Sequence, residues 1–191
     1  DLAGFAAATL LRGVRFLQIP TTLLAMADSS VGGKTGFDHP RGKNLIGAFH
    51  QPSAVVVDVA HLETLPARER ACGLAEIAKI ALARDRSLFE ELEASAEALR
   101  EGRREALVPV LEKAILGKIR LVRDDEHELG PRALLNLGHT VGHALEAHAQ
   151  YTDLLHGEAV AIGTMVELAA TEALGFTGGD VRPRVFALWA R

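Results

Sequence analysis

The chain of 191 residues contains a single cysteine, Cys72. That excludes an internal disulfide framework and any cysteine-rich zinc module. It lacks a run of 18 uninterrupted apolar residues, so no transmembrane helix is expected. No charged-then-apolar leader opens it, so nothing points to secretion and a cytoplasmic location is expected. Excess basic charge is missing too: 21 Lys+Arg against 25 Asp+Glu leave a net charge of −4, which gives no electrostatic reason to expect a nucleic-acid partner. Lysine is scarce. There are five (Lys34, Lys43, Lys79, Lys113 and Lys118) against 16 arginines. Those few are candidates for positions where a compact ammonium matters, with ordinary surface charge as the alternative. What is present is the balance of a globular protein, 48% apolar and 24% charged. The length suffices for one domain or one and a half, with a core that needs no staples. The first residue is Asp1 rather than Met, so we expect a piece of a longer protein.

Residues 1–12 (DLAGFAAATLLR) are Ala/Leu-rich and predict a helix. Residues 14–20 (VRFLQIP) form a short apolar run ending at proline, a plausible parallel strand, and 54–58 (AVVVD) are a second, β-branched one. Between them, 21–28 is expected to be connector. Residues 29–49, rich in Gly, Ser, His and Pro, are expected to be loop with at most a short hairpin. Helical patterns then dominate, at roughly 66–84, 87–100, 103–124, 132–148 and 156–174. Pro66 sits near a helix start, where its missing N–H costs little. Gly102, Gly130–Pro131 and Gly175 punctuate the rest. The expectation is an α/β portion over 1–65 and a helical domain over 66–191. Two strands and one helix do not complete a sheet, so the apolar faces of 14–19 and 55–57 should be left exposed.

Five constellations carry possible chemistry. LNLGHTVGHALEAHAQYTDLLHGEAV holds four of the eight histidines: His139, His143, His148 and His156. His139 and His143 are four apart and share a helix face, and a turn could bring His156 back toward them. Neutral imidazole is the commonest protein metal ligand, so a divalent site between two facing helices is credible. Helix-end or surface histidines are the alternative, and the H-E-x-x-H pattern is absent. ADSSVGGKTG resembles a Walker A loop, but Asp28 stands where the leading glycine should be, and Gly36 and Pro40 oppose the helix that should follow. A backbone nest beside Lys34 could still hold an anion, or the segment is a glycine-rich turn. Lys43 and Asn44 could bond hydroxyls or a carboxylate, or cap a turn. Glu76 and Lys79 are either an intrahelical ion pair or a metal ligand beside a substrate contact. Lys118, Arg132 and Asn136 are donors suited to an anionic, polyhydroxylated ligand. Arg132, Asn136, His139 and His143 would run along one helical face, or belong to a solvent face.

Together these segments resemble the 3-dehydroquinate synthases. The matching stretches are DLAGFAAATLLRGV, QIPTTLLAMADSSVGGKTGFDHPRGKNLIGAFHQP, VVVDVAHLETLPARE, GLAEIAKIAL, RALLNLGHTVGHALEA and LLHGEAVAIG. They are long, ungapped and run nearly end to end. The resemblance implies a Rossmann-like NAD-binding α/β remnant followed by a multihelical metal-binding domain. It also implies a Zn²⁺ or Co²⁺ ion held by Glu76, His139 and His156, with His143 acting elsewhere in the site. Substrate contacts would be Arg12, Asp28, Lys34, Lys43, Asn44, Lys79, Lys118, Arg132, Asn136 and His143, of which Lys34, Lys79, Asn136 and His143 would be catalytic. Asp1, Thr21, Thr22 and Thr64 would lie on the NAD side, together with Asp28, Lys34 and Lys43. The family's glycine-rich dinucleotide loop would precede Asp1, and a further site lysine would follow Arg191. The full-length protein would be a homodimer.

The implied reaction converts 3-deoxy-D-arabino-heptulosonate 7-phosphate to 3-dehydroquinate and phosphate. NAD oxidises a ring hydroxyl transiently, phosphate leaves by β-elimination, the hydride returns, and an intramolecular aldol closes the ring. The rivals are another sugar-phosphate cyclase making an inosose or valiolone ring, a metal-dependent polyol dehydrogenase, and a non-catalytic truncated helical module. The set Lys118, Arg132 and Asn136 resembles the dehydroquinate type.

Overall fold

The structure is a computed structural model and describes residues 1–39 and 42–190; Pro40, Arg41 and Arg191 lie outside the described residues. Helix α1 (Leu2–Thr9) lies on an antiparallel hairpin of β2 (Lys34–His39) and β3 (Gly42–Phe49). Two short strands, β1 (Leu17–Gln18) and β4 (Ala54–Val55), pair in parallel. Five helices form most of the remainder: α2 (Ala67–Arg84), α3 (Arg86–Glu101), α4 (Arg104–Asp124), α5 (His139–His148) and α6 (His156–Ala173), with α7 (Val181–Trp189) against α3 and α6.

The glycine-rich stretch expected to be mostly loop is a long hairpin. Its register pairs Gly36 with Gly47 and Lys34 with Phe49. A Cβ on Gly36 would stand 2.8 Å from the Ile46 carbonyl, so the two strands approach over bare backbone. Glycines in place of alternating side chains hide the strand pattern from the sequence. Phe5 of α1 meets Phe37 of β2 at 5.3 Å between ring centroids, and the Thr35 hydroxyl donates to the Ala48 carbonyl at 2.8 Å. The expected connector at 21–28 also differs: a wide helical turn spans Ala25–Ser29, and its Met26 and Ala27, with Leu23 just before it, are buried in the helical core.

The two expected strands shrink to two paired residues each. The anticipated exposure of their apolar faces holds in part: Leu17, Ile19 and Val56 are each more than half exposed, whereas Val14, Phe16, Val55 and Val57 are partly covered. The helical core is built from Ile77 and Ile80 of α2, Leu88, Leu92 and Leu99 of α3, and Val110, Leu111 and Leu121 of α4. Asp85 caps α3 by accepting from the Leu88 N–H at 3.0 Å, and Gly102 ends it in a left-handed conformation.

The expected helix over 132–148 is two elements. A 3₁₀ turn spans Pro131–Asn136, Leu137 is extended, and Gly138 is left-handed (φ 80°) before α5 begins. A Cβ on Gly138 would meet the Val160 carbonyl at 2.6 Å, so α6 packs where a side chain would have to be. The stripe Arg132, Asn136, His139 and His143 is therefore not one helical face. It is assembled from two elements across a sharp bend.

The first turn of α6 is pressed onto α2. A Cβ on Gly157 would stand 2.5 Å from the Cys72 carbonyl oxygen. Arg68 of α2 clasps Glu158 of α6 through two hydrogen bonds of 2.6 and 2.7 Å. Because backbone rather than a flexible side chain must yield, Gly157→Ala in the intact protein should cost about 2 kcal/mol. Thermal denaturation should show the loss, and an unchanged midpoint would mean the two helices are looser than described.

Candidate active site

A cleft of about 890 Å³ opens between the hairpin, the Ala25–Ser29 turn, α2, α4, the Pro131–Asn136 turn, α5 and α6. Of the residues expected in the site, it brings together Asp1, Asp28, Lys34, Lys43, Asn44, Lys79, Lys118, Arg132, Asn136, His139, His143 and His156. Glu76 lies beneath its floor, fully buried. Four expected residues do not line this cleft. Arg12 sits exposed in a left-handed conformation (φ 68°) just after α1, because the chain turns sharply there. Thr21 is exposed. Thr22 accepts from the Ala25 N–H at 3.1 Å, capping the helical turn. Thr64 is exposed and donates to the His61 carbonyl at 3.4 Å.

Glu76 of α2, His139 at the start of α5 and His156 at the start of α6 offer ligand atoms within 4.8 Å of one another. Glu76 Oε1 lies 3.4 Å from His156 Nε2 and 3.9 Å from His139 Nε2. Both Glu76 oxygens are buried without a well-formed hydrogen bond, and the Lys79 ammonium is a close ionic neighbour. The other ring nitrogen of each histidine is already engaged: His139 Nδ1 with the Leu137 carbonyl at 3.2 Å, His156 Nδ1 with Glu146 Oε1 at 3.1 Å. Ligating imidazoles are oriented in this way by outer hydrogen bonds. Burial and the nearby Lys79 ammonium hold His139 below the ordinary histidine value, favouring the neutral ring that a metal requires. A carboxylate and two imidazoles suit Zn²⁺ or Co²⁺ with positions left open. The donor set fits.

Beside this triad runs a chain of alternating charge. Lys79 pairs with Glu76 on one side and reaches Asp28 Oδ1 at 3.6 Å on the other. Lys118 of α4 donates to both the Asp28 carbonyl (2.5 Å) and its carboxylate (2.7 Å). Burial would raise the Asp28 carboxyl, but the Lys118 and Lys79 ammoniums outweigh it and hold Asp28 well below the usual range. The same balance, with burial opposed by Asp28 and Glu76, raises Lys79. Glu76 and Lys79 thus form the intrahelical ion pair allowed by their spacing, and Lys79 also lines the cleft.

The remaining donors have internal partners as well. Arg132 is 2% exposed, and its guanidinium donates to the Gly32 carbonyl at 3.0 Å and the Glu126 carbonyl at 2.5 Å. Asn136 donates to Glu128 at 2.7 Å, and Lys34 pairs with the same carboxylate. Burial and the neighbouring Arg132 and Lys118 cations pull the Lys34 ammonium down to about 8. Glu128 and Glu146 escaped the sequence reading. The first sits in a charge-rich run that looks like surface, and the second lies three residues beyond His143, a spacing that reads as a solvent-side pair.

Removing Asp28 would strand the buried Lys118 ammonium and leave Lys79 with Glu76 as its acid partner. Asp28→Ala should therefore lower stability at pH 7 by about 3 kcal/mol. Because the folded-state value of Asp28 is depressed, its contribution is complete above the ordinary 3.8 and is lost as pH falls toward the lower folded value. Denaturant melts across pH should show the difference between variant and wild type narrowing only below about pH 4. A constant difference would mean that Asp28 acts through packing alone.

Known proteins share this chain's sequence and fold. The family described as 3-dehydroquinate synthase N-terminal matches residues 1–72, and that described as 3-dehydroquinate synthase C-terminal matches 73–191. A 3-dehydroquinate synthase of Halorhodospira halophila is 53% identical over 98% of this chain and 53% of its own length. One of Nitrosospira multiformis is 51% identical over the whole chain and 52% of its own length. The chain thus spans about half the length of the curated relatives it matches. Among solved structures, 2-epi-5-epi-valiolone synthase of Streptomyces hygroscopicus subsp. jinggangensis 5008, with NAD⁺ and Zn²⁺ bound, superposes with a TM-score of 0.92 at 34% identity, covering 98% of this chain and 52% of that one. A 2-deoxy-scyllo-inosose synthase complexed with carbaglucose-6-phosphate, NAD⁺ and Co²⁺ gives 0.90 at 27% identity, covering 98% and 51%. On the two family matches and the identity to curated relatives, the chain belongs to the 3-dehydroquinate synthase family.

Proposed function

We propose that the intact protein converts 3-deoxy-D-arabino-heptulosonate 7-phosphate to 3-dehydroquinate and phosphate, using NAD and Zn²⁺ or Co²⁺, as a carbon–oxygen lyase. The observation that carries this reading is the buried Glu76 carboxylate aimed at two imidazoles beside a cleft lined by cations. Curated relatives at 51–53% identity support the dehydroquinate type over the valiolone and inosose cyclases, which are 34% and 27% identical. The parallel pair β1–β4 would belong to a Rossmann-like NAD domain, with residues 1–65 on the cofactor side and 66–191 forming the metal- and substrate-binding domain. A cytoplasmic homodimer is part of the same proposal. No helix among the described residues is long and apolar enough to cross a membrane.

In this reading Glu76, His139 and His156 hold the ion. When bound, the ion supplies Lewis-acid polarisation of a substrate oxygen and NAD a reversible hydride acceptor, the chemistry that loosens a β-phosphate. The chain's own residues do the positioning. Lys79 and Lys118 place two buried ammoniums at the cleft floor, paired with Glu76 and Asp28; with Glu76 also holding a divalent ion, the floor would be net positive and favour an anionic ligand above it. Lys34, Arg132 and Asn136 would exchange internal partners for substrate carboxylate or phosphate oxygens. His143, half-turned to the cleft and held below its ordinary value by burial, would be a neutral ring able to take a proton. Holding the reacting groups in one geometry is the largest service such a site performs.

The direct test is phosphate release from the heptulosonate phosphate with catalytic NAD and no net NADH. Release with product other than 3-dehydroquinate, or stoichiometric NADH, would overturn the reading. In that assay Arg132→Ala should lower kcat/KM by about 10²-fold or more; wild-type kinetics would remove Arg132 from the site. KM should rise as pH climbs through about 8, where Lys34 loses its charge. Lys34→Met should abolish that rise, and a persisting rise would assign it to another group.

A further inference from the structure

Glu146 has so far entered only as the hydrogen-bond partner of His156. It lies on α5 one turn beyond His143 and is 2% exposed, while its neighbours Ala147 and His148 face solvent. A carboxylate leaves water only at a cost unless donors replace the water it loses. Its Oε1 collects two donors: Lys43 Nζ from β3 at 2.6 Å, and His156 Nδ1 from the start of α6 at 3.1 Å. Lys43 is 103 residues away in sequence and also stands over the Tyr151 ring at 5.1 Å. Three elements meet on one oxygen.

The consequence falls on His156. A neutral imidazole that donates its Nδ1–H to a carboxylate presents the Nε2 lone pair on its opposite side, the form a metal ion would bind. That Nε2 is the atom facing Glu76 Oε1 at 3.4 Å. We infer that Glu146 is a positioning residue: it fixes the tautomer and ring direction of His156, so that Nε2 points at the position shared with Glu76 and His139, and it tethers the hairpin through Lys43 to the same point. This inference rests on the metal reading of Glu76, His139 and His156. His143, Glu146 and His156 also lie within 4.8 Å of one another. A second cation there would face the Lys43 ammonium already seated on Glu146, so orientation of His156 is the better-supported role.

The test is Co²⁺ binding to the metal-free intact protein, followed by the visible absorption of the bound ion, with circular dichroism as the folding control. Glu146→Ala should weaken Co²⁺ binding by about 10–100-fold and shift the absorption bands. Glu146→Gln should stay close to wild type, because its amide oxygen accepts the same Nδ1–H. If the Ala variant does not fold, Glu146→Asp decides: it keeps the charge but draws the oxygen back by one methylene, and the same weakening is expected. A folded Ala or Asp variant with wild-type affinity and spectrum overturns the inference. Wild-type Co²⁺ binding indifferent to His139→Ala would instead overturn the metal reading. Binding that requires His139 but ignores Glu146 would overturn this inference alone.

Discussion

A carboxylate with no solvent exposure, Glu76 in the middle of α2, sets the terms for its surroundings. A buried charge is tolerated only when paired, and each pairing here creates the next demand. Lys79, one turn along α2, answers Glu76 but is itself 3% exposed. Asp28 answers Lys79, and Lys118 of α4 answers Asp28. The series fastens the Ala25–Ser29 turn between α2 and α4 and fixes the floor of the cleft. It also leaves the Glu76 oxygens without well-formed hydrogen bonds on the side where His139 and His156 converge.

The cleft gathers Lys34, Lys43, Lys79, Lys118 and Arg132 although the chain carries a net charge of −4, and it sets acids among them. Each cation is occupied, with Lys34 on Glu128, Lys43 on Glu146 and Lys118 on Asp28. In the proposed reading, an entering anion would therefore bind by exchange of partners. Such a site keeps its lysines ordered before the ligand arrives, and it discriminates against ligands too weakly charged to displace a carboxylate. Arg132 differs: its guanidinium is spent on two backbone carbonyls, so it braces the Gly32 loop while facing the cleft.

Much of this was legible in the sequence, unevenly. Helices α2, α3, α4 and α6 followed from periodicity while α7 was not anticipated, and the histidine cluster suggested a metal site by density alone. Which histidines would serve did not follow: spacing favoured His139 with His143, and only the family resemblance selected Glu76, His139 and His156. The hairpin was hidden because Gly36 and Gly47 carry no side chains to alternate. The break at Gly138 was hidden because LNLGHT reads as continuous helix until the approach of α6 is known. Glu128 and Glu146 were missed for a common physical reason. A lone acid on a helix or in a charged run is ordinarily solvated, and only tertiary contact reveals the cation that buries it.

The metal position is the claim on which the rest turns, and diffraction can locate it. Crystals of the intact protein grown with Zn²⁺ should give one anomalous peak at the zinc edge, about 2.0–2.2 Å from a Glu76 oxygen, His139 Nε2 and His156 Nε2. A peak seated instead on His143 and Glu146, or no peak within reach of Glu76, would contradict the assignment.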